Sequence, residues 1–501
     1  MSDRHNSTYN LTRWLFLRLI GLIYLLAFAS LGVQVLGLIG SRGILPVADM
    51  LDAVSMMIGP EQYWYFPTLT WINCADSFLE FLCWGGAFAA LLATLGLVSG
   101  PALAVCWLFY LSLVTVGGEF MSFQWDSLLL ETGFLAMLFS PGQQVLAPPW
   151  RGPSSITRQS PPSKLVVWLV RLLLFRLMFM SGSCKLLSGD TSWRDLTAMA
   201  YHYWTQPLPT PVAWYAAQLP LWFQKLSTIG TFIVELGIPF LIFAPRRARI
   251  VGGCLLIGFQ LTIAITGNYT YFNLLAIALC VVLFDDDFLQ RIVPAFLRQQ
   301  INDVTTVYRG ATWRRVALAA IASLIVFAGV IELAESLLPI RAVRGLAAVV
   351  HGFVSPFHLV NGYGLFAVMT TSRPEIIVEG SRDGETWLAY EFPYKPGNLK
   401  RPFPWVAPYQ PRLDWQMWFA ALGTYRSNPW FVQFLHRLLE GSPDVLALLE
   451  KNPFPDSPPK FIRARVVNYY CSTWAERRTS GNWWRCEPQG EYFPAVTLSH
   501  L

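Results

Sequence analysis

The chain has 501 residues, of which 54% are hydrophobic and only 14% are charged, where soluble domains carry about 25% charged residues. That deficit, with a mean hydropathy of +0.41, excludes an ordinary soluble protein and points to a polytopic α-helical membrane protein. A formal net charge of +6 is too modest to argue for nucleic acid as a partner.

In chain order, the first apolar run is Trp14 to Ile39. It exceeds the 7–15 residues typical of a signal h-region, so it reads as a span and not as a cleaved leader. About nine spans are expected, over 14–39, 77–98, 101–118, 124–141, 165–187, 227–244, 250–267, 270–286 and 315–337, since a bilayer needs about 20 apolar residues per helix. Ser99-Gly100-Pro101 breaks the second from the third. With a cytoplasmic N-terminus the inside loops hold thirteen Lys and Arg, among them Arg4, Arg151, Arg158, Arg298 and Arg309, and the outside loops hold four, Arg42, Lys185, Arg194 and Lys225. That bias obeys the positive-inside rule. It makes 1–337 a multi-pass membrane domain and 338–501 a smaller extracytoplasmic α+β domain, in the endoplasmic reticulum lumen of a eukaryote or beyond the inner membrane of a bacterium.

On the outside, Asn268-Tyr269-Thr270 is a glycosylation sequon, with Asn268 the acceptor in a eukaryote. Asn6 and Asn10 stand in sequons on the inside and stay unmodified. In the tail, 365–370, 375–379, 386–392 and 461–470 read as strands, and 482–496 pairs back on the last of these. Helical patterns cover 412–422, 428–440 and 443–451, the second with Asn428 before Pro429 as its start. Along 461–470, Ile462, Ala464 and Val466 alternate with Arg463 and Arg465, a half-buried pattern. Seven tail tryptophans, Trp405, Trp415, Trp418, Trp430, Trp474, Trp483 and Trp484, are interface anchors or core.

The chemistry concentrates in two places. A polar membrane cluster is expected from Gln124, Asp126, Glu131, Arg176, Lys185 and Glu235, because an intramembrane charge costs about 2.5–3.5 kcal/mol and has a partner or a task. Gln124 and Glu131 are seven apart and share a helix face, while Asp126 diverges. Comparable depth pairs Arg176 with Glu235, with Glu131 as the rival partner. The second place is the loop with Asp190, Trp193, Arg194, Asp195, His202 and Gln206, a candidate client-binding surface. Gly-x-Ser-x-Gly, HExxH, P-loop and Rossmann patterns are absent from the sequence, so no catalytic residue, metal or cofactor is assigned. Eight cysteines include no CxxC. Cys471 and Cys486 flank a hairpin loop and are candidates for a disulfide, with two reduced thiols as the alternative.

Several stretches carry a resemblance. Phe175-Arg176-Leu177-Met178-Phe179, Lys185-Leu186, Gly189-Asp190, Trp193-Arg194-Asp195-Leu196-Thr197, His202-Tyr203, Thr205-Gln206-Pro207 and Pro209 resemble the lipase maturation factor family. So do Phe120 to Gly133, Pro402-Phe403-Pro404-Trp405, Pro411 to Ala420, Asn428-Pro429-Trp430 and Tyr492-Phe493-Pro494. The resemblance implies a membrane-anchored, chaperone-like factor that assists folding or assembly of a secreted lipase or similar client, with membrane lipids as its other partner. The family is distantly similar in architecture to vitamin K-dependent carboxylases. The alternative is therefore a carboxylase-like enzyme acting on a lipid, a quinone or a secreted protein.

Overall fold

The computed structural model describes residues 8–141, 162–292, 312–338 and 341–500. Arg4, Asn6, Arg151, Arg158, Arg298 and Arg309 lie outside them. Among the described residues, seven helices are long and apolar enough to cross a membrane: Asn10–Gly32, Asp76–Leu95, Ser99–Val116, Lys164–Leu187, Leu221–Phe243, Arg246–Thr266 and Thr312–Leu337. The other two expected spans form the shorter helices Gln124–Phe139 and Phe272–Leu283. Sixteen and twelve residues rise only about 24 and 18 Å, short of a hydrocarbon core of about 30 Å. Both sit in the middle of the bundle, packed on Asn10–Gly32 and Lys164–Leu187. Longer helices shield them from lipid, so they need not match its thickness.

One end of the bundle is closed by Asp286. Its carboxylate accepts from the backbone N–H groups of Asn10, Leu11 and Thr12 at 2.8, 3.0 and 3.2 Å, the free donors of the first helix. Asn10 is itself buried. At the opposite end the tail docks directly on the helices. Gln410 N donates to Ser30 Oγ at 2.9 Å, Gln34 Nε2 donates to Gln410 O at 2.8 Å, and Arg412 N donates to Gln34 Oε1 at 2.9 Å.

The tail is a four-stranded antiparallel sheet, β1 Pro374–Ser381, β2 Leu388–Ala389, β3 Phe461–Cys471 and β4 Trp484–Val496, in the order β2-β1-β3-β4. Helices Arg412–Ala421 and Pro429–Glu440 pack on it. Leu365–Thr370, expected as a strand, is a turn that reaches back into the bundle, with Phe366 in the left-handed region at φ 56°. The expected strand 386–392 shrinks to two residues, and helix 443–451 to Pro443–Leu446. Asn428 precedes its helix without bonding the backbone N–H groups; its amide donates to Thr424 O.

The alternation in β3 holds only for its first half. Ile462 and Ala464 are buried, but the register then shifts and the buried positions become Val467 and Tyr469. A bulge adds one residue, and one residue moves every later side chain to the other face. The strand thus feeds two cores, one against the helices and one against Trp214, Phe403 and Trp484. Of the tryptophans expected as anchors or core, Trp415, Trp418, Trp430 and Trp484 are core, while Trp405 and Trp474 are exposed.

The same register corrects the disulfide expectation. Cys471 lies opposite Trp484, and Cys486 opposite Tyr469. The two cysteines are diagonal neighbours, which sit about 7–8 Å apart, beyond the usual Cα span of a bridge. Both are free thiols. The asparagine of the expected sequon lies inside the fold. Asn268 is buried; its amide donates to Leu208 O and Pro404 O at 3.1 and 2.9 Å, and its carbonyl accepts from Val406 N and Ala407 N at 2.8 and 3.0 Å. It is a clamp between bundle and tail, out of reach of a glycosyltransferase. Peptide mass spectrometry of protein made in eukaryotic cells should find Asn268 unmodified. Asn268→Ala should destabilise the protein by about 1–3 kcal/mol through the orphaned backbone groups, read as a lower thermal midpoint in detergent.

Candidate functional site

Three buried carboxylates organise the bundle, and each has a cation. Asp126 receives both ends of the Arg412 guanidinium, at 3.0 and 2.9 Å, and a hydroxyl proton from Tyr271 at 2.7 Å. Tyr110 donates to the same oxygen. Arg412 also donates to Phe120 O at 2.6 Å. A bidentate fork and two phenols satisfy this carboxylate fully. The pair joins the tail to the start of Gln124–Phe139.

Glu131, one helix face away, pairs with Arg176. Its second oxygen accepts from the Asn361 backbone and amide, each at 3.1 Å, and from Tyr363 OH at 2.8 Å. Gln124, on the same face, accepts from Gly364 N at 3.0 Å. One helix face thus holds the 361–364 segment of the tail. Arg171, the other arginine of the Lys164–Leu187 span, donates to Val282 O and Tyr9 OH near the end closed by Asp286.

The expected Arg176–Glu235 pair does not form. Glu235 binds Lys185 instead, at 3.0 and 2.8 Å, and Lys185 spends its third proton on Ser181 O at 2.9 Å. The reason lies in the backbone. Pro239 has no N–H and its ring crowds the carbonyl four residues back, that of Glu235. The helix loosens to a π-turn over Ile233–Gly237 and tightens to a 3-10 helix over Ile238–Phe243. The π-turn lies hard against Gly182, where an added Cβ would meet Glu235 Cβ at 2.9 Å and Leu236 at 2.8 Å. Close approach there sets Glu235 beside Lys185, nine residues and about 13.5 Å along the helix from Arg176.

The outer loop divides by role. Asp190 caps Thr191–Arg194 by accepting from Ser192 N at 2.8 Å, and holds the tail through Met369 N at 2.6 Å. Trp193 is buried, and its indole donates to Phe366 O at 3.0 Å. Gln206 accepts from Tyr269 OH at 2.7 Å and donates to Thr266 O at 2.8 Å. Its own carbonyl accepts from Arg373, a fully buried arginine that also bonds Pro207 O and Glu375. Arg194 and Asp195 are exposed. Sequence reading did not single out Arg373, Arg412, Asn361 and Tyr363, all tail residues. Their only signal is a polar residue inside an aromatic stretch, which the tail repeats many times.

Lys185, Glu235, Trp193 and His202 converge on a cavity of about 610 Å³. It lies between the ends of Lys164–Leu187, Leu221–Phe243 and Arg246–Thr266, with Phe366 and Tyr269 over it. The Lys185 ammonium stands 5.4 Å from the centre of the Trp193 ring. Burial, aided by the Lys185 charge, holds His202 down at a pKa of about 4, so its imidazole is neutral at pH 7.

The Asp126–Arg412 pair gives a direct test. Arg412→Met leaves a buried carboxylate without its cation and should destabilise the protein by about 3–5 kcal/mol, whereas Asp126→Asn combined with Arg412→Met should recover most of that. Thermal unfolding of the four proteins in one detergent reads the coupling. A double variant no better than Arg412→Met would show that the pair is not what holds the tail.

Comparison with known proteins follows the same two-part layout. The lipase maturation factor transmembrane domain family matches residues 11–291, and the lipase maturation factor C-terminal domain family matches residues 359–494. Lipase maturation factor 2 of Homo sapiens is 37% identical, over 97% of this chain and 83% of its own length. Lipase maturation factor 2 of Gallus gallus is 36% identical, over 97% and 81%. Lipase maturation factor 1 of Bos taurus is 35% identical, over 99% and 90%. No solved structure matches the chain. With both of its parts matched, and with relatives this similar along nearly its whole length, the chain belongs to the lipase maturation factor family.

Proposed function

We propose that this chain is a membrane-anchored maturation factor that assists folding or assembly of a secreted lipase. The observation that carries the reading is the end-to-end similarity to proteins named for lipase maturation, across the bundle and the tail together. Nothing in the site or in these relatives favours the carboxylase-like alternative. The charges of the site, Asp126, Glu131 and Glu235, are paired with Arg412, Arg176 and Lys185, as a scaffold requires.

In this reading Gln124–Phe139 and Phe272–Leu283 cross with the seven long helices, which makes nine crossings. The N-terminus is then cytoplasmic, and the tail beyond about residue 338 stands in the lumen of the endoplasmic reticulum or in the periplasm. The client meets the outward surface, where Arg194 and Asp195 of the loop and Trp405 and Trp474 of the tail are exposed. Large exposed aromatics are the usual anchors of such contacts.

Orientation is tested with the exposed thiol of Cys486. A membrane-impermeant maleimide should label it from the lumenal or periplasmic side, and Cys486→Ser should remove that adduct. Labelling only from the cytoplasmic side would reverse the topology. Function is tested by co-expressing a secreted lipase with the chain. Secreted lipase activity should rise with the intact protein and fall to about one tenth of that rise with Trp405→Ala and Trp474→Ala together, each a loss of hot-spot size. An unchanged activity from a variant with native thermal stability would remove these aromatics from the client surface. No rise with the intact protein would reject the reading.

A further inference from the structure

The walls of the cavity beside Lys185 state what it can hold. Its volume of about 610 Å³ falls within the range of small-molecule pockets, about 300–1,000 Å³. Most of the lining is apolar, including Leu177, Phe223, Leu255 and Phe259. Phe223 and Leu255 are also exposed on the flank of the bundle, so the cavity opens sideways between Leu221–Phe243 and Arg246–Thr266, where lipid chains would lie. Gly230 and Gly258, one on each of these helices, line it, and a Cβ at either would meet nothing within 4 Å. The space is open where their side chains would be.

Most of the hydroxyl and ammonium groups that line it have spent their protons. Lys185 gives all three to Glu235 and Ser181 O. Trp193 gives its indole proton to Phe366 O. The hydroxyls of Ser227, Thr231 and Thr262 donate back to their own helices, to Phe223 O, Ser227 O and Gly258 O. Tyr269 donates to Gln206.

Two acceptors remain unmet. The buried Oε1 of Gln260 and the buried Nδ1 of His202 have no partner among the described residues. The His202 ring is neutral, and its Nε2 lies 3.3 Å from Tyr269 OH. Since the Tyr269 proton goes to Gln206, its oxygen accepts from Nε2–H, and Nδ1 is left as a lone pair. Two buried acceptors without donors cost free energy until a ligand supplies protons. A phosphate or carboxylate head cannot. The Lys185–Glu235 pair is neutral as a unit and offers no net charge to an anion.

We infer that this cavity binds a neutral, single-chain amphiphile whose hydroxyl groups donate to Gln260 and His202 and whose chain lies between the two helices, the chemistry of a monoacylglycerol or a long-chain alcohol. The site is independent of the client reading. The test uses the full-length protein in nanodiscs and tritiated 2-oleoylglycerol, with oleate and oleoyl lysophosphatidate as competitors. Saturable binding near one per chain is expected. Gly258→Leu and Gly230→Leu each fill the open space without a clash at Cβ, and each should weaken binding about tenfold or more at unchanged thermal stability. Gln260→Leu, which removes one acceptor, should cost about tenfold. Both anionic competitors should displace the probe at least about tenfold less well than unlabelled 2-oleoylglycerol. The inference is overturned by absent saturable binding, by unchanged affinity in a folded glycine variant, or by an anionic competitor that matches the neutral one.

Discussion

A carboxylate inside an apolar bundle must have a cation or lose its charge, and three such carboxylates set the arrangement of this protein. Asp126, Glu131 and Glu235 each lie within an apolar helical segment and are each no more than 6% exposed. The desolvation of such ions is large enough that only close, multiply hydrogen-bonded partners offset it. Arg176, Lys185 and Arg412 are those partners. Their positions decide which helices touch and where the tail can sit.

Two of the three carboxylates bond the tail. Arg412 is the first residue of a tail helix, yet it is buried against Asp126. Glu131 is held partly by Asn361 and Tyr363. The tail is therefore built into the membrane part through ion pairs and backbone hydrogen bonds, with the Asn268 clamp as a further tie. A partner that loaded the tail would load the bundle, because the connection is rigid polar bonding and not a flexible linker.

The third carboxylate has a different setting. Glu235 sits on a π-turn forced by Pro239 and admitted by Gly182, beside a cavity with unmet acceptors. π-turns inside helices are costly and cluster at functional positions. Here the turn brings the carboxylate to Lys185 and leaves the helices around it loosely packed. The same backbone irregularity thus pairs the charge and leaves the space.

By itself the sequence determined the class of the protein, because composition and the length of apolar runs follow directly from what a bilayer demands. It also showed which residues were too costly to be idle: Asp126, Glu131, Arg176, Lys185 and Glu235 stand out as charges in apolar helices, and the seven-residue spacing of Gln124 and Glu131 places them on one face, where the structure has them. Long, nearly ungapped stretches carried the family. The pairing of those charges was decided only by tertiary structure. Depth counted along straight helices set Arg176 against Glu235, but a π-turn and a missing side chain at Gly182 moved Glu235 to Lys185. Periodicity assigned one face to β3, but a bulge gave it two. A sequon and a pair of cysteines read as modification sites from local pattern, yet Asn268 is buried in a clamp and Cys471 and Cys486 are two positions out of register. In each case the deciding contact lies fifty or more residues away in the chain or depends on strand register, and neither is written in a local pattern.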